Sequence, residues 1–125
     1  MGASQLCGFA KSDSSKETPN LQFHIQPIST DKLGGSNLHN FDAFTPTVAN
    51  IRPTSRGEIS ISSADSRDNP KIKMNYLSTQ EDRKVAADGI RLIRKIVMET
   101  NEFKKFEPEE FRPVSYTHLT LPTKA

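Results

Sequence analysis

At Ser78 the spacing of apolar residues changes from two to between three and four, and this switch divides the chain into strands and a helix. Upstream, Leu21, Phe23 and Ile25 alternate with Gln22, His24 and Gln26, the period of a strand with one apolar face. Pro27 cannot donate to a ladder and closes that strand or places it at an edge. Ala43 to Ile51 predicts a second strand, closed by Arg52-Pro53. Glu58 to Ser62 alternates through Ile59 and Ile61, and Lys71 to Tyr76 alternates again. The turn formers Asp65-Ser66-Arg67-Asp68-Asn69-Pro70 lie between these two runs, so they read as antiparallel neighbours. Downstream, Ala86, Ile90, Ile93 and Val97 fall at helical spacing, flanked by Val85, Leu92 and Ile96. Ser78-Thr79-Gln80-Glu81 has the capping-box pattern, with serine accepting from the third helical amide and glutamate reaching back. A helix over 79–99 follows. Gly89 inside it costs roughly 1 kcal/mol against alanine and points to close packing on another backbone.

One amphipathic helix over several alternating strands gives an α+β fold: a mostly antiparallel sheet packed against one long helix. At 125 residues there is room for one domain. The 34% hydrophobic fraction and mean hydropathy of −0.61 leave the core thin for that length. The net charge of +2 comes from basic residues spread along the chain, without the basic patch and aromatics of a nucleic-acid binder. Arg91, Arg94 and Lys95 read as a solvated helix face. No run approaches the ~20 apolar residues of a membrane span. Met1 to Ala10 lacks the charged start and apolar stretch of a secretory signal. The single cysteine, Cys7, forms no internal disulfide, and His24, His39 and His118 lack metal-ligand spacing. A cytoplasmic or membrane-associated location is therefore expected ahead of a secreted one.

Four blocks carry a resemblance. They are Pro19-Asn20-Leu21-Gln22-Phe23-His24, Arg52-Pro53-Thr54-Ser55-Arg56-Gly57, the run from Ser63 to Ile72, and Asn75-Tyr76-Leu77-Ser78 leading into the helix with Gly89-Ile90-Arg91. In this order and spacing, residues 19–113 resemble the C-terminal, substrate-side domain of the glucose-methanol-choline (GMC) oxidoreductases, most closely the choline dehydrogenase branch. Residues 1–18 then form an approach loop, fitting the family loosely through Gly8-Phe9 and Lys11-Ser12. The resemblance implies FAD as cofactor and choline or another primary alcohol as substrate. It also implies that this piece forms one wall of the alcohol pocket, and that its partner is an FAD-binding domain of the same parent chain. Family members begin with a glycine-rich fingerprint that receives the dinucleotide, and end with a histidine motif that takes the proton from the alcohol. Neither motif occurs in the 125 residues, so no catalytic or cofactor-binding residue is assigned, and the fragment is expected to be inert alone. The alternative is a free-standing, non-catalytic α+β binding module.

The resemblance stops at Pro113. Residues 114–125, beginning Val114-Ser115-Tyr116-Thr117-His118, read as the translation of a sequencing-library adapter and are expected not to be native; the rival is a native edge strand bearing His118. Of the remaining candidates, His24 is the substrate-binding residue that the resemblance implies, hydrogen-bonding the alcohol oxygen from a polar pocket wall. Arg52, Arg56 and Gly57 read as structural, the arginines tying loops and the glycine taking backbone angles closed to other residues. Asp65, Arg67 and Asp68 suggest a self-paired turn, and Tyr76 a packed aromatic with its hydroxyl at the rim. Asp31 with Asp42, and Glu109 with Glu110, are solvated loop acids.

Overall fold

A computed structural model describes residues 4–31 and 37–112; Gly34-Gly35 and the tail with His118 lie outside them. Five strands precede two helices: β1 (Leu6–Ala10), β2 (Leu21–Gln26), β3 (Thr45–Asn50), β4 (Glu58–Ser60), β5 (Lys71–Lys73), α1 (Gln80–Glu99) and α2 (Asn101–Lys104). The first three form an antiparallel sheet in the order β1-β2-β3, and β4 and β5 form a separate antiparallel pair. The α+β reading holds, with α1 laid across the sheet against β3. One strand went unforeseen. The approach loop contains β1, paired in register with β2 from Leu6 opposite Ile25 to Ala10 opposite Leu21.

Register sorts the side chains into two faces. Gly8, Ala10, Leu21, Phe23 and Val48 share the face under α1, and the core there consists of Leu21, Phe23 and Val85 with Ala10, Val48, Leu92 and Ile93 packed around it. The deepest line of the helix runs Asp82–Val85–Gly89, one residue round from the stripe centred on Ala86 and Ile90, which are half-buried. Gly89 is where the helix meets the sheet: a Cβ there would lie 3.0 Å from Val48 Cγ2 and 3.4 Å from Leu21 Cδ2. The close packing is real, but its neighbours are side chains rather than backbone.

The helix begins one residue later than the capping box placed it. Thr79 is the N-cap, its hydroxyl accepting from Asp82 N at 3.2 Å. Asp82 does not reach back to the cap amide, because its carboxylate is engaged across the fold. It accepts from Thr54 N (2.9 Å), Ser55 N (2.8 Å), the Thr54 hydroxyl (3.2 Å) and Asn50 Nδ2 (3.2 Å). The Ser55 hydroxyl in turn accepts from Thr79 N at 3.3 Å. The carboxylate is buried, yet hydrogen bonding from Ser55 and then Thr54 holds its pKa far below the usual range against the opposing effect of burial.

Smaller ties complete the frame. Buried Asn20 accepts from Ser12 N (2.8 Å), donates to the Ser12 hydroxyl (2.9 Å), and its carbonyl receives Ile51 N (3.0 Å), clasping the ends of β1 and β3. Lys84 bonds Asp88 (2.6 Å) and Asp13 (3.3 Å), and Lys16 pairs with Glu81, which fastens the 11–18 loop to α1. These exposed pairs add little energy and mainly set direction. Leu77 adopts a left-handed φ of 54°, costly for a branched side chain, and Arg83 Nη1 holds that turn through the carbonyls of Leu77 and Ser78, both at 2.8 Å.

Two measurements test this arrangement. Thr79→Ala should destabilise the chain by about 1 kcal/mol in urea unfolding, whereas Ser78→Ala should leave the midpoint unchanged; the reverse ranking would restore the earlier cap. Because the folded pKa of Asp82 is depressed, its stabilisation is complete above the unfolded value of about 4 and is lost as pH falls below it. Asp82→Asn should lower stability at neutral pH and flatten the acid limb, and parallel acid limbs in the two proteins would refute the assignment.

Candidate substrate-facing surface

The face of the sheet turned away from α1 carries Cys7 and Phe9 from β1, Gln22, His24 and Gln26 from β2, and Thr47 from β3. β2 is the middle strand, so His24 sits at the centre of this surface between Cys7 and Thr47. Its period-two place opposite the core residues Leu21 and Phe23 puts it there. Thr47 Oγ1 donates to the His24 carbonyl at 3.4 Å, and Gln22 Nε2 lies 3.4 Å from Cys7 Sγ. The imidazole itself is half-buried. No described helix covers this face, and Phe9 is 60% exposed on it. An imidazole flanked by a hydroxyl, a thiol and two carboxamides has the ring nitrogens to hydrogen-bond an alcohol oxygen.

Other singled-out residues serve the framework. Arg56 Nη1 forks to the carbonyls of Pro53 (2.8 Å) and Ser55 (2.9 Å), and Arg52 Nε reaches the Pro19 carbonyl at 3.4 Å. Gly57 is required by space rather than by backbone angle, since a Cβ would stand 2.6 Å from the carbonyl oxygens of both Lys73 and Met74. Arg67 grips Asp65 through Nε (3.0 Å) and Nη2 (2.6 Å), and Asp68 receives the Ser63 hydroxyl (2.6 Å), which makes the expected self-paired turn. Tyr76 is 75% exposed beside β5 and not packed as expected. Two loop acids are also paired: Asp31 with Arg112 (2.7 Å) and His39 (3.3 Å), and Glu110 with Arg94 Nε (2.9 Å). Arg94 is accordingly tied down rather than solvated.

Sequence reading missed the aromatic group around His39, which stacks on Phe41 (5.1 Å between centroids) and meets Phe111 edge-on (5.3 Å). Its members are 70 residues apart or more along the chain at the extremes, so no local pattern announced it. Among the described residues no group of histidine, cysteine and acid side chains could hold a metal ion, and no helix is long and apolar enough to cross a membrane. The described residues offer no place for a flavin's pyrophosphate at the start of α1. The start of α1, where a pyrophosphate would be received, is already occupied by Glu81 and Asp82, and no glycine-rich strand-turn leads into it.

Comparison with known proteins supplies the family. A family model described as GMC oxidoreductase matches residues 53–122, more than half of the chain, and runs past Pro113 into the stretch set apart above as a tail. The chain is 36% identical over 109 residues to an oxygen-dependent choline dehydrogenase of Vibrio vulnificus, which covers 87% of the chain and 19% of the relative. A protein of the same name from Pseudomonas savastanoi is 37% identical over 94 residues, covering 74% and 16%, and one from Chromohalobacter salexigens is 36% identical over 111 residues, covering 87% and 19%. The chain thus spans about a fifth of the length of these curated relatives. With its antiparallel sheet, its covering helix and the matched run from Pro53 onward, the chain belongs to the GMC oxidoreductase family.

Proposed function

We propose that these residues are part of an FAD-dependent oxidoreductase acting on CH–OH groups, with choline or another primary alcohol as donor. In this reading they supply one wall of the alcohol pocket, and His24 hydrogen-bonds the alcohol oxygen. The observation that carries the reading is the position of His24 at the centre of a polar sheet face that no described helix covers, in a family of generally FAD-dependent oxidoreductases. An alcohol is too weak an acid to lose its proton unaided at neutral pH, so oxidation needs a base, and the 125 residues hold no Gly-x-Gly-x-x-Gly and no family histidine motif. FAD and that base would come from the rest of the parent polypeptide, and the piece alone would be inert. A free-standing binding module is disfavoured by the exposure of Ile59, Ile61, Ile72 and Met74 on the β4–β5 hairpin among the described residues.

The test is made on the full-length protein, reconstituted with FAD and assayed with choline and with simple primary alcohols. Loss of any alcohol-dependent flavin reduction would sink the proposal. His24→Ala should lower turnover by about 10²-fold or more, the scale of removing one positioned hydrogen-bonding group. The same substitution should move the unfolding midpoint by no more than about 0.5 kcal/mol, because His24 lies off the core. Unchanged turnover and KM in this variant would remove His24 from the pocket while leaving the flavoenzyme reading intact.

A further inference from the structure

No Asp, Glu, Lys or Arg occurs along β1, β2 or β3. On the face turned away from α1, the side chains of this sheet stand in rows across the strands. One row is Cys7, His24 and Thr47, and the next along is Phe9, Gln22 and Ala49. The first row holds groups that hydrogen-bond, and the second begins with an aromatic ring on β1. Phe9 and His24 are diagonal neighbours in this register, about 7–8 Å apart, a span that long and aromatic side chains bridge. The ring takes no part in the core, which lies on the opposite face. Among the described residues no other ring and no cation stacks on it, and Phe9 is 60% exposed. A single exposed apolar side chain is ordinary. What sets Phe9 apart is the imidazole one diagonal step away, on strands that hold both side chains in fixed register.

We infer that Phe9 is a specificity-determining residue, its ring packing against the non-reacting carbon chain of the alcohol whose oxygen His24 hydrogen-bonds. This rests on the proposed role of His24 and deepens it by naming the donors this wall favours. They are uncharged primary alcohols with a chain of about four carbons or more. The length follows from the spacing: a chain of about two carbons ends short of a ring one diagonal step away, and a longer one reaches it. The lack of charge follows from the strands. A wall without a carboxylate offers a cation no counter-charge, whereas it meets hydrocarbon without burying an unpaired ion. The contact acts through apolar area removed from water, so its effect grows with each methylene laid on the ring.

The experiment uses the full-length flavoprotein reconstituted with FAD, with ethanol as the short donor and hexan-1-ol as the long one. An alcohol that is not turned over is scored by its inhibition constant against choline. In the unsubstituted protein hexan-1-ol should have the lower KM. In Phe9→Ala the ratio of kcat/KM for hexan-1-ol to that for ethanol should fall about tenfold, through KM, the scale of losing apolar contact along a chain. Phe9→Leu, which returns apolar area, should recover most of the ratio. An unchanged ratio would overturn the inference, and so would an equal loss on both alcohols, the mark of a ring that only supports the fold. Should Phe9→Ala fail to fold, Phe9→Gln keeps the length without the apolar surface and is read by the same ratio. Failure of both alcohols and of choline to reduce the flavin would defeat the proposed function and this contact with it. Flavin reduction with an unchanged ratio would defeat this contact alone.

Discussion

The carboxylate of Asp82 joins three parts of the chain: the end of β3, the 54–55 segment and the start of α1. Its charge is acceptable in a buried position because four donors replace water, and because the positive end of the helix dipole lies beside it. With α1 anchored there, Val85 and Gly89 come down on Leu21 and Val48, and the core closes. Without the anchor the helix would keep its periodicity but lose its address on the sheet. Thr79 and Ser55 reinforce the same point from the helix side, so the cap and the tertiary contact form one unit.

That unit supports a fold finished on one side only. Among the described residues Leu21, Phe23 and Val85 are the buried hydrophobic ones, while large apolar side chains remain exposed at both the β1 edge and the hairpin. The asymmetry has chemical meaning. The covered face of the sheet is apolar and holds the helix; the other presents an imidazole, a thiol, a hydroxyl and carboxamides in neighbouring register positions. A middle strand paired on both sides is the stiffest place on this sheet, and His24 stands on it.

The sequence by itself determined much of this. Period-two alternation located β2 to within a residue and put His24 on the face away from the core, because strand side chains alternate whatever the surroundings. The helix and the Asp65–Arg67 pairing were legible in the same way, from residues close together in the chain, and the family from the order and spacing of blocks along it. Tertiary structure decided the rest. β1 was invisible because Leu-Cys-Gly-Phe-Ala has no polar-apolar alternation, and only pairing with β2 makes it a strand. The local pattern placed the cap at Ser78; in the fold Thr79 takes it, where its hydroxyl meets Thr54 and its amide donates to Ser55. Gly57 is forced by carbonyls of β5 and the residue after it, sixteen and seventeen positions away, which no local backbone rule could show. Local pattern states which face of an element is apolar, but which face finds a partner depends on long-range packing, and that only the folded chain reveals.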